Sequence, residues 1–179
     1  MSNLTHIGIF TDRPVEMEQF YRGVLHLVVS DTGIGNHFKR RIIFMTGNPE
    51  HHHQFVLVVR EEGDPPGGAL FQVSFKMASL SELRAVAARA ESAGARGIRP
   101  LNHGNSWSVY FNDPDGNMIE IYTDTGWHVA QPFGDPLDLS WSDEEIVART
   151  EQRLKECEGV EPQAQWAAKM AARLAEVRK

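Results

Sequence analysis

A single carboxylate set among apolar strand residues constrains this chain more than any other feature. The segment Tyr110-Phe-Asn-Asp-Pro-Asp-Gly-Asn-Met-Ile-Glu-Ile-Tyr122 is written as a β-hairpin. At its tip, Asp113, Pro114 and Gly116 are turn chemistry: the proline presets φ, the aspartate caps the turn and the glycine accepts a positive φ. The return strand then carries Glu120 between Ile119 and Ile121. Burying that carboxylate is unfavourable unless it meets a cation or a metal. Far away in the chain, His6 stands in a second apolar stretch, Leu4-Thr-His-Ile-Gly-Ile-Phe10. Together the two imply a metal site assembled from strand residues distant in sequence.

The bulk numbers set outer bounds. A chain of 179 residues, 41% of them hydrophobic, buries a full core and fits one domain with an appendage. A net charge of −6, with no basic run longer than Lys39-Arg40-Arg41, argues against nucleic acid or an anionic membrane as the main partner. Cys157 is the one cysteine, which excludes an intrachain disulfide and a zinc–thiolate cluster. Neither a basic-then-apolar leader nor an apolar run of bilayer length is present, so a soluble cytoplasmic protein is expected.

Two segments of similar plan follow one another. The first reads as a strand over Leu4–Phe10, a helix over Pro14–Leu25, and strands over Val28–Asp31, Arg41–Thr46 and Gln54–Arg60. Pro14 suits a first helical turn, and Val15, Phe20, Val24 and Leu27 are expected on one face. Glu61–Gly68 is a linker by composition. The plan then restarts with a strand over Leu70–Met77. Ser79-Leu-Ser-Glu82 is a capping box opening a helix through Ala93, with Gly94 and Gly97 punctuating its end. Strands over Gly97–Pro100, Ser106–Asn112 and Met118–Thr123 complete it. Each half is therefore βαβββ. Shifted by 66 positions, Leu4 falls on Leu70, His6 on Gln72, Ile7 on Val73 and Ile9 on Phe75.

After Tyr122 the character changes. Thr125–Pro136 is an extended, proline-punctuated arm. Ser142–Glu145 is a second capping box, opening a helix to about Glu156 with a thin stripe through Ile146, Arg149, Thr150, Arg153 and Leu154. Gly159 ends it, and Pro162 suits the first turn of a last helix reaching Arg178, striped by Trp166, Met170, Leu174 and Val177. This tail is expected to pack on the core or on a second subunit, and no chemistry is assigned to it.

The D-P-D-G-N-x-I-E pattern ending at Glu120 resembles the hairpin of the vicinal-oxygen-chelate superfamily, which includes glyoxalase I, the fosfomycin and bleomycin resistance proteins and the type I extradiol dioxygenases. Consistent motifs run from about Leu4 to Tyr122. The resemblance implies an α+β fold of two paired βαβββ modules forming a cupped sheet, with a C-terminal helical extension. The domain would cover residues 1–124, with modules at about 1–62 and 69–124, and the arm and helical tail would cover 125–179. In that family each module supplies metal ligands from its first and last strands. The corresponding positions are His6, a residue near Gln54, Gln72 and Glu120, and both pairs lie 48 residues apart. Such ligands suit Fe(II), Mn(II), Ni(II) or Zn(II) with open positions. Gln72 departs from the dioxygenase pattern, which has His there. Some glyoxalases use Gln as a ligand, and a metal-free pocket in which Gln72 only hydrogen-bonds stays equally open.

Three further positions match the dioxygenase pattern. His52-His53, before the apolar run Phe55–Val59, resembles a pair whose second member is the acid/base histidine. A solvated turn cluster over His51–His53, or an adventitious metal-binding tract, are the other readings. Tyr110, ten residues before Glu120, resembles a substrate-side tyrosine, against a core-edge role. His103, in the loop leading to the hairpin, resembles a site-lining histidine, against a surface role. Trp107 and Phe44 are pocket walls or core, and His26, His37 and His128 are structural or exposed. Asp124–Pro132 with Leu137–Glu145 resembles the extension of small one-domain dioxygenase-like members.

The resemblance thus implies a metal-dependent oxidoreductase of the extradiol ring-cleavage kind, taking a catecholic aromatic and dioxygen. His6, Gln72 and Glu120 would hold Fe(II), with Mn(II), Ni(II) or Zn(II) as alternatives. His53 would be the acid/base, and Tyr110 and His103 would orient substrate. A homodimer is implied by analogy. The alternatives are a glyoxalase-like lyase or isomerase, and a metal-free protein that sequesters a small aromatic compound.

Overall fold

The computed structural model describes residues 4–35, 39–64 and 70–177. His37, residues 65–68 of the expected linker and Arg178 lie outside the described residues. The elements run β1 (Ile7–Thr11), α1 (Pro14–Leu25), β2 (Val28–Ile34), β3 (Arg41–Thr46), β4 (Phe55–Val59), β5 (Val73–Lys76), α2 (Leu80–Ser92), β6 (Arg96–Asn102), β7 (Ser106–Asn112) and β8 (Met118–Asp124). Then come β9 (Trp127–His128), β10 (Asp135–Pro136), α3 (Asp143–Leu154), β11 (Glu161–Pro162) and α4 (Gln163–Val177). The first sheet has the order β1-β4-β3-β2 and the second β10-β6-β7-β8-β5. In each, the first strand of a βαβββ segment pairs with the last, which in turn pairs with the third. This is the α+β plan of two βαβββ segments and C-terminal helices that the sequence leads one to expect. Among the described residues, no helix is long and apolar enough to cross a membrane.

The chain divides into two compact units, one of residues 1–73, 88–97 and 111–119, the other of residues 74–87, 98–110 and 120–179. In the first unit, β1 and β4 run parallel with Ile7 opposite Phe55, and β3 joins antiparallel to both β2 and β4. Helix α1 begins at Pro14, whose missing N–H falls where a helix has no internal acceptor for it, and stops at His26 in the left-handed region. It buries Met17, Phe20, Tyr21 and Val24. That spacing of 3, 1 and 3 is one helical face, and each such side chain contributes about 1.5–3 kcal/mol. Val15, expected on that face, is 57% exposed, because it falls two residues before Met17 and so well round the helix. Strand β1 is shorter than expected, leaving Leu4 and His6 exposed ahead of it.

The hairpin turn behaves as its residues dictate. Gly116 takes φ of +88°, and its N–H donates to the Asp113 carbonyl at 2.9 Å. The Asp113 carboxylate accepts the N–H groups of Asp115 and Asn117. It is buried, and the Tyr21 hydroxyl donates to it at 2.9 Å. A second tie runs from Thr11 Oγ1 to Asp115 at 2.5 Å. The tip is thus held to α1 and to β1 by charge-assisted hydrogen bonds.

In the second unit, the C-terminal segment is docked onto the sheet by polar contacts with few alternatives. Ser142 caps α3, accepting from Glu145 N–H at 3.1 Å. Thr150 on α3 is buried and accepts from both Trp107 Nε1 at 2.9 Å and Asn102 Nδ2 at 3.1 Å. Arg84 on α2 donates to the carbonyls of Leu139 at 2.9 Å and Trp141 at 2.8 Å and pairs with Asp143. Trp107 is therefore a core residue. Helix α4 starts at Gln163, one residue later than expected, because Pro162 pairs with Trp127 in the β9–β11 ladder.

Burial pushes the Asp113 carboxyl above its ordinary value, while the bonds from Asn117 and Tyr21 pull it back down. Tyr21→Phe is expected to lower the unfolding free energy in urea by about 1–2 kcal/mol. It should also raise the Asp113 titration further, since a donor to the charged form is lost. An unmoved Asp113 titration by carboxyl NMR would show that the phenol bond does not carry this weight.

Candidate functional site

Glu120 lies on β8 with only 8% of its surface exposed. Its neighbours supply the polar contacts that burial demands. Tyr110 on β7 donates its hydroxyl to Oε1 at 2.7 Å, and Ser74 on β5 donates to Oε2 at 2.6 Å. Both carboxylate oxygens therefore accept hydrogen bonds from protein hydroxyls. Hydrogen bonds to a charged acceptor are worth about 1.5–3 kcal/mol each and go far to offset the loss of water.

Tyr110 continues the chain. Its hydroxyl lies 2.8 Å from His103 Nε2, and His103 Nδ1 lies 2.7 Å from the Phe133 carbonyl oxygen. A carbonyl only accepts, so Nδ1 carries a hydrogen and Nε2 faces the phenol. The phenol has one proton and two neighbours able to accept it, so Ser74, Glu120, Tyr110, His103 and Phe133 form a contiguous polar line in which that proton bonds Glu120 or His103 Nε2, one at a time. Burial, then the bond to and charge of Glu120, push the Tyr110 phenol well above its ordinary value, with the guanidinium of Arg99 opposing. Arg99 sits 5.0 Å from the Tyr110 ring centroid. The phenol thus stays protonated and serves as a donor at neutral pH.

The histidines of the first unit form their own group. His6 and His53 rings meet edge-on at 4.5 Å, and His53 lies 5.0 Å from the half-buried Phe44 ring. His52 Nδ1 and His53 Nδ1 are 2.9 Å apart, and His52 approaches Asp31 at 3.9 Å. Burial, then the neighbouring His6 and His52, push His53 below its ordinary value. His51 and His52 are exposed. Gln54, the other candidate of this unit, turns its side-chain oxygen to the Gly47 N–H at 3.2 Å. His26 is the left-handed cap of α1, and His128, in the second unit, stacks on Trp166 at 4.8 Å.

The structure therefore brings His103, Tyr110 and Glu120 together, and separately brings His6 to His53. Gln72 is half-buried just ahead of β5 and belongs to the first unit. Ser74 is the residue the sequence gives no reason to choose. In the first unit Ile7 lies opposite Phe55, 48 residues on; in the second the Lys76–Asp124 side-chain pair also spans 48, but the Ser74–Glu120 bond spans 46. Overlaying the two halves at a constant shift therefore points two residues away from Ser74.

The donor chemistry fits a divalent first-row ion, provided its ligands are mixed. Among the described residues, no three His, Cys, Asp or Glu side chains converge. Glu120 of the second unit, and the imidazoles and the Gln72 amide of the first, are each donors that such an ion accepts.

The loop carrying His103 is held closely. Gly104 takes φ of +73°, and a Cβ there would lie 2.4 Å from Val129 Cγ1 and 3.2 Å from Leu154 Cδ2. Val129 and Leu154 are buried and have nowhere to go. Gly104→Ala is expected to destabilise the protein by about 1–3 kcal/mol, read by denaturant unfolding. Wild-type stability in that variant would mean that the loop yields freely.

Comparison with known proteins follows the same lines. A sequence model of the Glyoxalase/Bleomycin resistance protein/Dioxygenase superfamily matches residues 3–121. Biphenyl-2,3-diol 1,2-dioxygenase 2 of Rhodococcus globerulus is 30% identical over 125 residues, which are 66% of this chain and 61% of that protein. The chain thus spans less than two thirds of that relative's length. A glyoxylase/bleomycin resistance protein/dioxygenase domain from Frankia sp. EAN1pec matches with a TM-score of 0.59 at 20% identity, covering 70% of this chain and 99% of that one. The fosfomycin resistance protein FosX of Listeria monocytogenes, solved with Mn(II) and sulfate, matches with a TM-score of 0.53 at 17% identity, covering 70% and 94%. The two solved structures share the fold with this chain.

Proposed function

Because the chain belongs to the Glyoxalase/Bleomycin resistance protein/Dioxygenase superfamily, we propose that it is a metal-dependent oxidoreductase of the extradiol ring-cleavage kind, acting on a catecholic aromatic with dioxygen. The observation that carries this reading is the hydrogen-bonded line from Glu120 through Tyr110 to His103. It joins a carboxylate to a phenol and an imidazole, the groups needed to anchor, orient and deprotonate a diol. The similarity to a biphenyl-2,3-diol dioxygenase adds support for a diol substrate.

His6, Glu120 and Gln72 would hold the ion, Fe(II) before Mn(II), Ni(II) or Zn(II). When bound, it would supply charge stabilisation and a template for two adjacent oxygens. Tyr110 presents its hydroxyl oxygen to a substrate hydroxyl while its own proton rests on Glu120. His103 Nε2 is the alternative acceptor of that proton. His53, kept neutral by burial and by its two histidine neighbours, accepts a proton from the diol. Phe44 beside it offers an apolar ring for an aromatic substrate.

A second reading is favoured by one observation, the bonding of both Glu120 oxygens to hydroxyls. A carboxylate so satisfied is at ease without a metal, as a small-molecule binding protein would require. Metal per chain after anaerobic Fe(II) loading and desalting separates the two. Near-stoichiometric iron that Glu120→Ala abolishes, with oxygen uptake on a panel of catechols including biphenyl-2,3-diol, is the expected result. Metal-free protein that binds catechols without consuming oxygen would replace the enzyme reading with the binding one. In the enzyme, Tyr110→Phe is expected to lower kcat by about 10²-fold or more, with KM changing less.

A further inference from the structure

The arm after β8 touches the one ring on which the line from Glu120 ends. The Phe133 carbonyl accepts from His103 Nδ1 at 2.7 Å, so the arm determines which nitrogen carries hydrogen and leaves Nε2 for Tyr110. One side chain spans both partners of that bond. Gln131 Nε2 donates to the His103 carbonyl at 2.9 Å, and Gln131 Oε1 accepts the Phe133 N–H at 3.1 Å. A single amide therefore holds the backbone of the imidazole and the backbone of its acceptor at a fixed separation.

The surroundings brace the same loop. Thr125 Oγ1 donates to the Gly104 carbonyl at 2.7 Å, and Thr125 N–H donates to the Asn105 carbonyl at 3.0 Å. The Asn102 side chain accepts the Gly104 N–H at 2.8 Å while donating to Thr150 on α3. The Phe133 ring lies 5.4 Å from the Arg153 guanidinium, which also bonds Asp135 at 2.8 Å. Gln131 is exposed and touches neither Tyr110 nor Glu120 in any of these bonds; the bonded path from it to Tyr110 runs through His103.

We propose that Gln131 is a positioning residue: by clamping His103 to the Phe133 carbonyl it fixes the imidazole in its Nδ1–H tautomer, with Nε2 directed at Tyr110. The inference rests on the reading of Glu120, Tyr110 and His103 as the working groups of the site. It gives the C-terminal arm, which carries no ionisable group at this contact, a part in the chemistry of a histidine nearly thirty positions earlier.

The test is the ring nitrogen shifts of His103 in protein labelled with ¹⁵N-histidine, for wild type, Gln131→Ala and Gln131→Glu. A His103→Asn variant assigns the signal. Wild type is expected as the Nδ1–H tautomer. Gln131→Ala should lose roughly fivefold of that preference, the population equivalent of one ordinary hydrogen bond. Gln131→Glu, which still accepts from Phe133 but no longer donates to His103, should fall between the two. A folded Gln131→Ala protein with the wild-type tautomer would overturn the proposal, as would an Nε2–H tautomer in wild type. The shifts are read without substrate. A tautomer that moves in a protein that never turns over a catechol keeps the clamp and rejects the dioxygenase reading, whereas turnover with an unmoved tautomer does the reverse.

Discussion

A buried carboxylate has to be given back what water would have supplied, and in this molecule two hydroxyls do so for Glu120. Tyr110 and Ser74 approach from the strands on either side, β7 and β5, and each takes one oxygen. The register of three strands is therefore tied to a polar requirement as well as to apolar pleating. A slip of one residue in either neighbour would turn its hydroxyl to the other face and leave the carboxylate unsatisfied. From Tyr110 the same requirement passes on to His103, and from His103 to the arm.

The consequence is that parts of the chain without reactive groups become parts of the site. Helix α3 reaches the 102–105 loop through Thr150, which takes up the otherwise unpaired indole and amide donors of Trp107 and Asn102. The arm reaches it through Gln131 and Phe133. The two are independent braces on one short loop, whose glycine at 104 leaves no room for a Cβ. A polar group can be aimed to within tenths of an ångström only if its support is as stiff as this.

The hydroxyls also bear on how the metal-dependent and the binding readings differ. A carboxylate already holding two donors does not require an ion for its own stability, so an ion would have to share those oxygens with Tyr110 and Ser74. Where it does, the phenol is coupled to whatever the carboxylate binds, and substrate orientation and ion binding become one event. Where it does not, the same line is a rigid polar wall. Both follow from one arrangement of hydroxyls about the carboxylate.

Much of this was legible in the residues. Pro14 starts a helix that runs over the residues expected, and Asp113, Pro114 and Gly116 specify the turn of the hairpin. The ten-residue spacing of Tyr110 and Glu120 follows from that turn, because a hairpin of known tip sets which residues of its two strands face each other. These are local matters, decided by backbone dihedrals and by side chains a few residues apart. Ser74 as the partner of Glu120, Val15 as an exposed residue and Phe133 as the acceptor for His103 were not legible. Each depends on a register or a packing angle between elements far apart in sequence, which hydrophobic period leaves free by a residue or two. A strand's chemistry is set by its own residues, but its partners are chosen only when the sheet closes and every buried polar group has to find one.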